Sequence, residues 1–126
     1  MDFDDRIPIY YQIKQYICQE IIVGHFKPED KIPAVRQLAL TLTVNVNTIQ
    51  RALAELVNDG ILESKRGRGN FVTADLKRLN EMKHSIVEEQ LALVYDRLTD
   101  LQITPEEMVR DLTDYIDKRK GEKQND

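Results

Sequence analysis

The chain of 126 residues contains one cysteine and no long apolar run. A helix that crosses a bilayer needs about 20 predominantly apolar residues, so no membrane association is predicted. A single cysteine cannot form a disulfide framework within the chain. The first residues, Asp2-Phe3-Asp4-Asp5, are acidic, which is not typical of a signal or transit peptide. These absences predict a cytoplasmic protein.

An excess of positive charge is also absent, since 18 Lys and Arg stand against 22 Asp and Glu. This balance argues mildly against binding to nucleic acid, but a DNA-binding surface needs only a local basic patch. Between Arg36 and Gly69, five basic residues stand against three acidic residues. Three of the five lie in the stretch ESKRGRGNFV, residues 63–72, whose two glycines permit a tight turn.

Residues that carry catalysis or hold metals are sparse. His25 and His84 are isolated, and no histidine or acidic pair lies at ligand spacing on a common face. No nucleophile, base and orienting group stand together. Cys18 lies beside the apolar stripe of the first predicted helix and is expected to be a small buried hydrophobe. We therefore predict no enzyme, no metal site and no cofactor.

The first half of the chain predicts three helices and a hairpin. Pro8 opens the first helix at its first position, and Gly24 ends it. This helix carries isoleucine at every fourth position: Ile9, Ile13, Ile17 and Ile21. A second helix is predicted over Val35–Leu42, and a third begins after the N-cap Asn45 and ends at Gly60. Residues 61–64 and 70–73 predict two strands around the basic loop, which completes a winged-helix plan with the loop as the wing.

The second half of the chain predicts long helices. Its main apolar stripe has alternating spacings of four and three residues, as in a coiled-coil seam. This seam consists of Val87, Leu91, Val94, Leu98 and Leu101. A last helix is predicted to begin near Thr104. Thr104 would be its N-cap, Pro105 its first residue, and Glu107 the partner of Thr104 in a capping box. The tail from residue 118 is polar and is expected to fray.

The predicted fold class is α+β and mostly α. A winged helix-turn-helix domain is predicted in residues 1–75. A short two-helix region with a polar tail is predicted in residues 76–126.

Five separated blocks carry a family resemblance: PIYYQIKQYI, GHFKPEDKIPAVRQLA, NVNTIQRALAEL, DGIL and RGRGNFV. Their order and spacing over residues 7–73 resemble the GntR family of bacterial transcription regulators. The short two-helix tail and the N-x-N-T opening of the third helix look most like the YtrA-like subfamily. The resemblance implies a winged-helix DNA-binding domain, a homodimer, and regulation of a small operon, often one that encodes a transporter. Two positions depart from the family: Glu29 stands where Gly is usual, and Val46 stands where Arg or Pro is common.

The third helix fits a major groove, with its N-terminal residues nearest the bases. Asn and Gln match the donor and acceptor of adenine, and Arg matches guanine or phosphate. Asn45 taken alone fits a helix cap equally well, and Gln50 alone fits a residue that only faces water. Val46 lacks the polar atoms with which an Arg reads guanine, although its methyl groups can touch a thymine. In the family, an Arg at the position of Arg36 contacts DNA, typically the backbone; the alternative is a surface ion pair with a nearby acid.

The stretch Arg66-Gly67-Arg68-Gly69 resembles the wing tip of the family, where Arg can enter the minor groove. The alternatives are an ordinary hairpin with solvated charges and a nucleotide-binding loop; the second is disfavoured because no helix begins after the loop. The predicted DNA-binding residues are Arg36, Asn45, Asn47, Thr48, Gln50, Arg51, Lys65, Arg66, Gly67 and Arg68.

The leading interpretation is a sequence-specific regulator, most simply a repressor, that binds operator DNA with an inverted repeat. It is expected to be a homodimer joined through the seam. A separate stripe of Leu79, Met82 and Ile86 can cover the chain's own domain, so the seam then needs a partner. A different class of function is a winged-helix protein-interaction module, but the amide-rich third helix and the Arg-tipped wing favour DNA. About fifty residues follow the wing and two helices consume most of them, so binding of a small-molecule effector is doubtful.

Overall fold

The computed structural model of the protein describes residues 2–124. These residues form two compact units that divide between His84 and Ser85. This division lies within the long fourth helix, nine residues beyond residue 75. The physical reason is packing within the first unit, since Met82 is buried there. In addition, the Arg78 Nε donates a 2.7 Å hydrogen bond to the backbone carbonyl of Asp59, at the end of the third helix.

The first helix, α1 (Ile9–Ile22), follows the predicted isoleucine stripe. Ile13 and Ile17 on this stripe are fully buried. Pro8 has an extended ψ of 136° and is the N-cap of α1, so the helix begins at Ile9, one residue later than predicted. Gly24, with a φ of 89°, follows the end of the helix in the left-handed conformation that glycine readily adopts.

A buried glutamine fastens the N-terminal segment to α1. The Oε1 of Gln12 accepts a 2.8 Å hydrogen bond from the Asp4 N–H. Its Nε2 donates to the carbonyls of Asp4 and Ile7, at 2.8 and 2.9 Å. The amide is thereby bonded through its oxygen and its nitrogen, as a buried amide requires. The side chain of Arg6 also donates to the Asp4 carboxylate, and this hydrogen bonding lowers the pKa of Asp4.

Two further helices, α2 (Val35–Leu42) and α3 (Val46–Asn58), form a helix-turn-helix. Thr43 ends α2 with a left-handed φ of 56°. The Val44 N–H then donates a 2.9 Å hydrogen bond to the Ala39 carbonyl, which closes the tight turn. The apolar faces of the two helices are buried through Leu38, Leu42, Ile49, Leu53 and Leu56. Because α3 also packs on α1, these three helices share one core.

The hairpin after α3 pairs β1 (Leu62–Lys65) with β2 (Gly69–Val72) in antiparallel register. Both strands lie one residue closer to the loop than predicted, and the loop is reduced to residues 66–68. The cause lies at the other end of the hairpin. The Ile61 N–H bonds to the Leu56 carbonyl of α3 at 3.0 Å, and the Thr73 N–H bonds to the Ile61 carbonyl at 2.9 Å.

The segment before α2 pairs with strand β2 of the hairpin. The Glu29 N–H donates to the Val72 carbonyl at 2.9 Å, and the Val72 N–H donates to the Asp30 carbonyl at 2.8 Å. Lys31 forms an isolated antiparallel bridge with Phe71. Glu29 has a φ of 70°, a left-handed conformation in which glycine is unstrained. The backbone therefore keeps the glycine conformation even though a glutamate occupies the position.

The second unit consists of the rest of α4 (Leu76–Asp100) and of α5 (Pro105–Gln124). The predicted cap of α5 is confirmed, because the Thr104 Oγ accepts a 3.2 Å hydrogen bond from the Glu107 N–H. The Thr104 hydroxyl also donates to the Glu107 carboxylate at 3.3 Å. The helix continues to residue 124, so the expectation of a frayed tail from residue 118 is wrong as far as the described residues extend. Residues 125 and 126 lie outside them.

Candidate nucleic-acid interface

The N-terminus of α3 is held by its own cap. The Asn45 Oδ1 accepts a 2.7 Å hydrogen bond from the Asn47 N–H, so the predicted N-cap is confirmed. This bond satisfies one of the backbone donors that a helix start leaves unpaired. The Asn45 side chain remains exposed, and it stands at the end of α3 from which a recognition helix contacts bases.

One face of α3 is polar and open to solvent. Asn47, Gln50 and Arg51 are exposed, and Gln50 and Arg51 follow Asn47 by three and four positions, which places both beside Asn47 on the helix surface. Thr48 is half-buried at the edge of this face. On the opposite side Ile49 is fully buried. The arrangement presents two amides and a guanidinium together, the groups that form paired hydrogen bonds with base edges.

Gln50 lines an open groove between α3 and the hairpin. The groove has a volume of about 350 Å³, and Ser64 of β1 and Asn70 of β2 lie on its other side. The rest of its lining is apolar and consists of Val35, Leu53, Ala54 and Val57. The sequence does not predict Ser64 or Asn70 as site residues, because their proximity to α3 depends on how the hairpin packs.

Arg51 makes a specific contact with α1. Its Cζ lies 3.7 Å from the centroid of the Tyr10 ring, so the guanidinium is stacked on the aromatic face. Neither an ion pair nor a hydrogen bond links Arg51 to a carboxylate within residues 2–124. The edge of the guanidinium, which carries its N–H donors, is therefore not used by an acid of the described chain.

The start of α2 and the start of α3 face a common groove. Arg36, the second residue of α2, is exposed and lines this groove of about 590 Å³ together with Asn45 and Asn47. The alternative considered for Arg36, an ion pair with a nearby acid, is not present in the described residues. Val46 and Leu40 give the groove an apolar wall, and Leu40 is 82 % exposed. The groove therefore combines a cation, two amides and apolar groups.

The predicted wing is a tight turn with an exposed cationic tip. The Arg68 N–H donates a 2.8 Å hydrogen bond to the Lys65 carbonyl, which closes the turn. Gly67 has a φ of 74°, which explains why a glycine stands at the tip. Lys65, Arg66, Gly67 and Arg68 are all exposed. The structure thus brings the predicted wing residues together at one end of the hairpin.

An aromatic residue and a lysine outside the predicted set support the wing. Lys65 Nζ and Arg68 Cζ lie 4.4 and 5.6 Å from the centroid of the Phe71 ring. Lys31 approaches from the segment before α2, since its Cε would lie 3.0 Å from a Cβ placed on Gly69. A side chain at Gly69 would displace Lys31, so this glycine makes room for a further cation beside the wing.

The contact of Lys65 with the Phe71 ring could have been predicted from the sequence. Phe71 pairs with Glu63, and Lys65 lies two residues further along the opposite strand, which is a diagonal position within reach of an aromatic ring. The contact of Tyr10 with Arg51 has no such local signal. It depends on the packing of α1 against α3.

The second unit exposes an apolar surface on both of its helices. Leu91 and Leu101 of the predicted seam are 54 % and 69 % exposed, and Leu98 is half-buried. The other two seam residues, Val87 and Val94, are exposed as well. A groove of about 670 Å³ between α4 and α5 is lined by Leu91, Val94, Tyr95, Leu98, Met108, Leu112 and Tyr115, with Pro105, Val109 and Asp111. Three of the five seam residues, Leu91, Val94 and Leu98, therefore line this groove, together with apolar residues of α5.

Other kinds of site have little support in residues 2–124. No group of three or more His, Cys, Asp or Glu side chains in this part of the chain is arranged to hold a metal ion. No helix in the described residues is both long enough and apolar enough to span a bilayer. Cys18 is buried, as predicted for a small hydrophobe.

The helix-turn-helix, the capped and polar α3 and the cationic wing define the winged-helix class of DNA-binding proteins. Residues 9–72 match the family described as bacterial regulatory proteins, gntR family. The chain belongs to this GntR family, so the resemblance noted in the sequence is confirmed. The α+β, mostly helical fold class is confirmed as well.

Three similar proteins extend this finding. The HTH-type transcriptional regulator YhcF of Bacillus subtilis is 33 % identical over 115 residues, which cover 91 % of this chain and 95 % of YhcF. The HTH-type transcriptional repressor YtrA of the same organism is 42 % identical over 85 residues, 67 % of this chain and 65 % of YtrA. A GntR family transcriptional regulator from Listeria monocytogenes matches in structure with a TM-score of 0.82 and 37 % identity, over 89 % of this chain and 98 % of that chain. These relatives are regulators of transcription and are not named as enzymes.

Proposed function

We propose that the protein is a dimeric repressor that binds an inverted-repeat operator through α3 and the wing. The observation that carries this proposal is the exposed face of α3, on which Asn47, Gln50 and Arg51 stand together. A helix that only stabilised the fold would have no need for two amides and a guanidinium on its solvent side. Groups of this kind match the edges of base pairs in a major groove.

The residues of the interface divide into two roles. Asn47 and Gln50 read base edges, with a preference for adenine. Arg36, Lys65, Arg66 and Arg68 contact phosphates or the minor groove, which fixes the position of α3 without reading the sequence directly. Gly67 keeps the wing tip narrow, and Thr48 and Arg51 border the bases. Asn45 acts chiefly through its cap.

Dimerisation is assigned to the second unit. Its apolar residues on α4 and α5 stay about half exposed in a single chain, as with Leu91, Leu112 and Tyr115 at 54 %, 49 % and 57 %. Apolar surface of this extent, continuous with a groove, is characteristic of a protein interface. A second copy of the same chain supplies an equally apolar surface, and a two-fold dimer matches the symmetry of an inverted repeat.

The repressor role is supported by the printed name of one relative, since YtrA is a transcriptional repressor. We propose the same direction of regulation for this chain, acting on a small operon in the cytoplasm, with a transporter operon as the kind that the subfamily resemblance suggests. A small-molecule effector is not part of the proposal.

Selection from DNA tests this function directly. The full-length protein is mixed with duplexes that carry a randomised stretch of about 30 base pairs, the length over which two half-sites one helical turn apart fit with flanks. Bound duplexes are recovered over several rounds and sequenced. We expect an inverted repeat whose half-sites contain A·T pairs. Recovery of unrelated sequences at every round would refute sequence-specific binding and favour the protein-interaction alternative.

The matched variants are Asn47→Ala and Gln15→Ala. Asn47→Ala should cost about 1–3 kcal/mol of binding free energy on the selected duplex and relax the preference at one base position. On unrelated DNA the loss should be much smaller. Gln15→Ala, an exposed amide on α1, should bind as the wild type does. Equal losses for Asn47→Ala on matched and unrelated DNA would mean that Asn47 positions the helix and does not read a base.

A further inference from the structure

We propose that Tyr10 is a positioning residue that holds the guanidinium of Arg51 in place for DNA. This role presupposes the DNA binding proposed above. Tyr10 lies in the first turn of α1, outside the two helices and the hairpin that form the expected interface. Its contact with Arg51 is the link between α1 and the exposed face of α3.

The geometry of this contact is the tightest of its kind among the described residues. The Arg51 Cζ lies 3.7 Å from the Tyr10 ring centroid, whereas the other cations lie 4.4 to 6.0 Å from their rings. At this distance the planar guanidinium rests directly on the aromatic face. Stacking therefore fixes both the position of the group and the plane in which its N–H donors lie.

The acid that would usually compete for the Arg51 guanidinium, Glu55, does not bind it. Glu55 lies four positions after Arg51 on α3, the spacing at which acid and base commonly pair. Within residues 2–124 the two do not form an ion pair, and Glu55 Oε2 is a buried atom that has no hydrogen-bond partner there. Arg51 thus turns to Tyr10 and keeps its donors available.

The position of Arg51 explains what these donors are for. Arg51 follows Asn47 by one helical turn on the same exposed face, so both side chains meet the same stretch of DNA. A free arginine loses much rotamer freedom when it binds, and a guanidinium already ordered on a ring loses less. Stacking uses the face of the group, while acceptors on DNA are bound by its edge. The acceptor is a phosphate oxygen or the paired acceptors of a guanine.

The experiment is a double-mutant cycle in DNA binding with the full-length protein. The probe is the duplex that the wild type selects from randomised DNA, and binding is followed by fluorescence anisotropy. Tyr10→Leu removes the ring, Tyr10→Phe keeps it, and Arg51→Met keeps the stem of the arginine without its charge. Tyr16→Leu, the same substitution at a half-buried tyrosine of α1, is the matched control. Melting temperatures are recorded for all variants.

Tyr10→Leu should weaken binding about three- to tenfold, and Tyr10→Phe should bind within about twofold of the wild type. Because Tyr10 acts through Arg51, the effect of Tyr10→Leu should vanish in the Arg51→Met background. Tyr10→Leu should leave the salt dependence unchanged, since the arginine charge remains. Arg51→Met should lower the salt slope by about one if the acceptor is phosphate. It should instead relax the preference for G at one position if the acceptor is guanine.

Several results would overturn the proposal. The first is DNA affinity equal to the wild type in Tyr10→Leu. The second is a loss of affinity in Tyr10→Phe as large as in Tyr10→Leu. The third is a loss from Tyr10→Leu that is just as large in the Arg51→Met background. Should Tyr10→Leu fail to fold, Arg51→Lys serves in its place, because a lysine keeps the charge but not the planar stack; binding equal to the wild type would then contradict the role of the ring. If the wild type enriches no duplex at all, DNA binding itself fails, and this outcome is distinct from a selected duplex that Tyr10→Leu binds normally.

Discussion

In the first unit Ile13, Ile17 and Ile49 are fully buried, whereas in the second unit Leu91 and Leu112 remain 54 % and 49 % exposed. Both sets recur at helical spacing in the sequence. The first set is covered by the helices of its own unit, because α1, α2 and α3 pack around one core. The second set faces an open groove. Periodicity therefore identifies an apolar face, and only tertiary structure tells whether the chain itself covers that face.

The largest effect should come from the exposed face of the second unit. Leu91→Asp places a charge in the apolar groove and should prevent dimerisation, because burying an unpaired charge is costly. Loss of bivalent contact should lower the affinity for an inverted repeat about 100- to 10,000-fold. Sedimentation and anisotropy titration measure the two effects. Gln90→Asp adds the same charge at the neighbouring exposed position and should leave the dimer intact. A monomeric wild type at micromolar concentration would contradict the proposed dimer.

A pair of equal truncations compares the two units directly. Leu56→Ala in the fully buried core should lower the free energy of unfolding by about 2–5 kcal/mol. Leu112→Ala removes the same atoms from a half-exposed site. At protein concentrations where the chain is monomeric, it should lower the free energy of unfolding much less. At concentrations that favour the dimer, the cost of Leu112→Ala should rise. Urea unfolding at several concentrations measures both. A concentration-independent cost for Leu112→Ala would mean that no partner covers that face.

Removing a cation from the wing should have a smaller effect, which is seen in the salt dependence of DNA binding. Removing a cation from the second unit should not have this effect. Arg66→Ala and Arg68→Ala should each lower the slope of log affinity against log salt by about one, because each removes one phosphate contact. Both should weaken binding to all sequences more than they alter preference. Arg110→Ala removes an exposed cation from the second unit and should leave the slope unchanged. An unchanged slope in both wing variants would exclude the wing from the interface.

The smallest effect concerns strain in the backbone. Glu29 and Gln102 have φ values of 70° and 65°, one in each unit. Glu29→Gly should raise the free energy of unfolding by up to about 1 kcal/mol, because relief of the left-handed conformation outweighs the added freedom of the unfolded chain. Glu29→Ala should give no such gain. Gln102→Gly should act chiefly on the helical hairpin of the second unit. Thermal unfolding followed by circular dichroism tests these expectations; a loss of stability in Glu29→Gly would be the contrary result.

Features determined by neighbouring residues were predictable from the sequence. The caps at Asn45 and Thr104 depend on a side chain and a backbone group a few positions away, and both were found as expected. The isoleucine stripe of α1 is equally local. The five blocks of the GntR resemblance add the fold, because their order and spacing match a complete winged helix.

Features determined by distant residues were not predictable in this way. The ends of the strands moved because Ile61 bonds to the end of α3. The first compact unit extends into the fourth helix, where Arg78 bonds to Asp59. In the interface, the stacking of Arg51 on Tyr10 joins residues from different helices, so no local pattern indicates it. Each of these contacts depends on packing that the sequence alone does not specify.

The cap of α3 has a consequence for the tolerance of the operator to mutation. The acceptor oxygen of Asn45 is bonded to the backbone N–H of Asn47, so the amide cannot direct both its donor and its acceptor at one adenine. Its N–H groups can still donate to any base edge that presents an acceptor, and in the major groove adenine, guanine and thymine all do. The base pair facing Asn45 should therefore be degenerate among functional operators, while the base pair facing Asn47 should be nearly invariant.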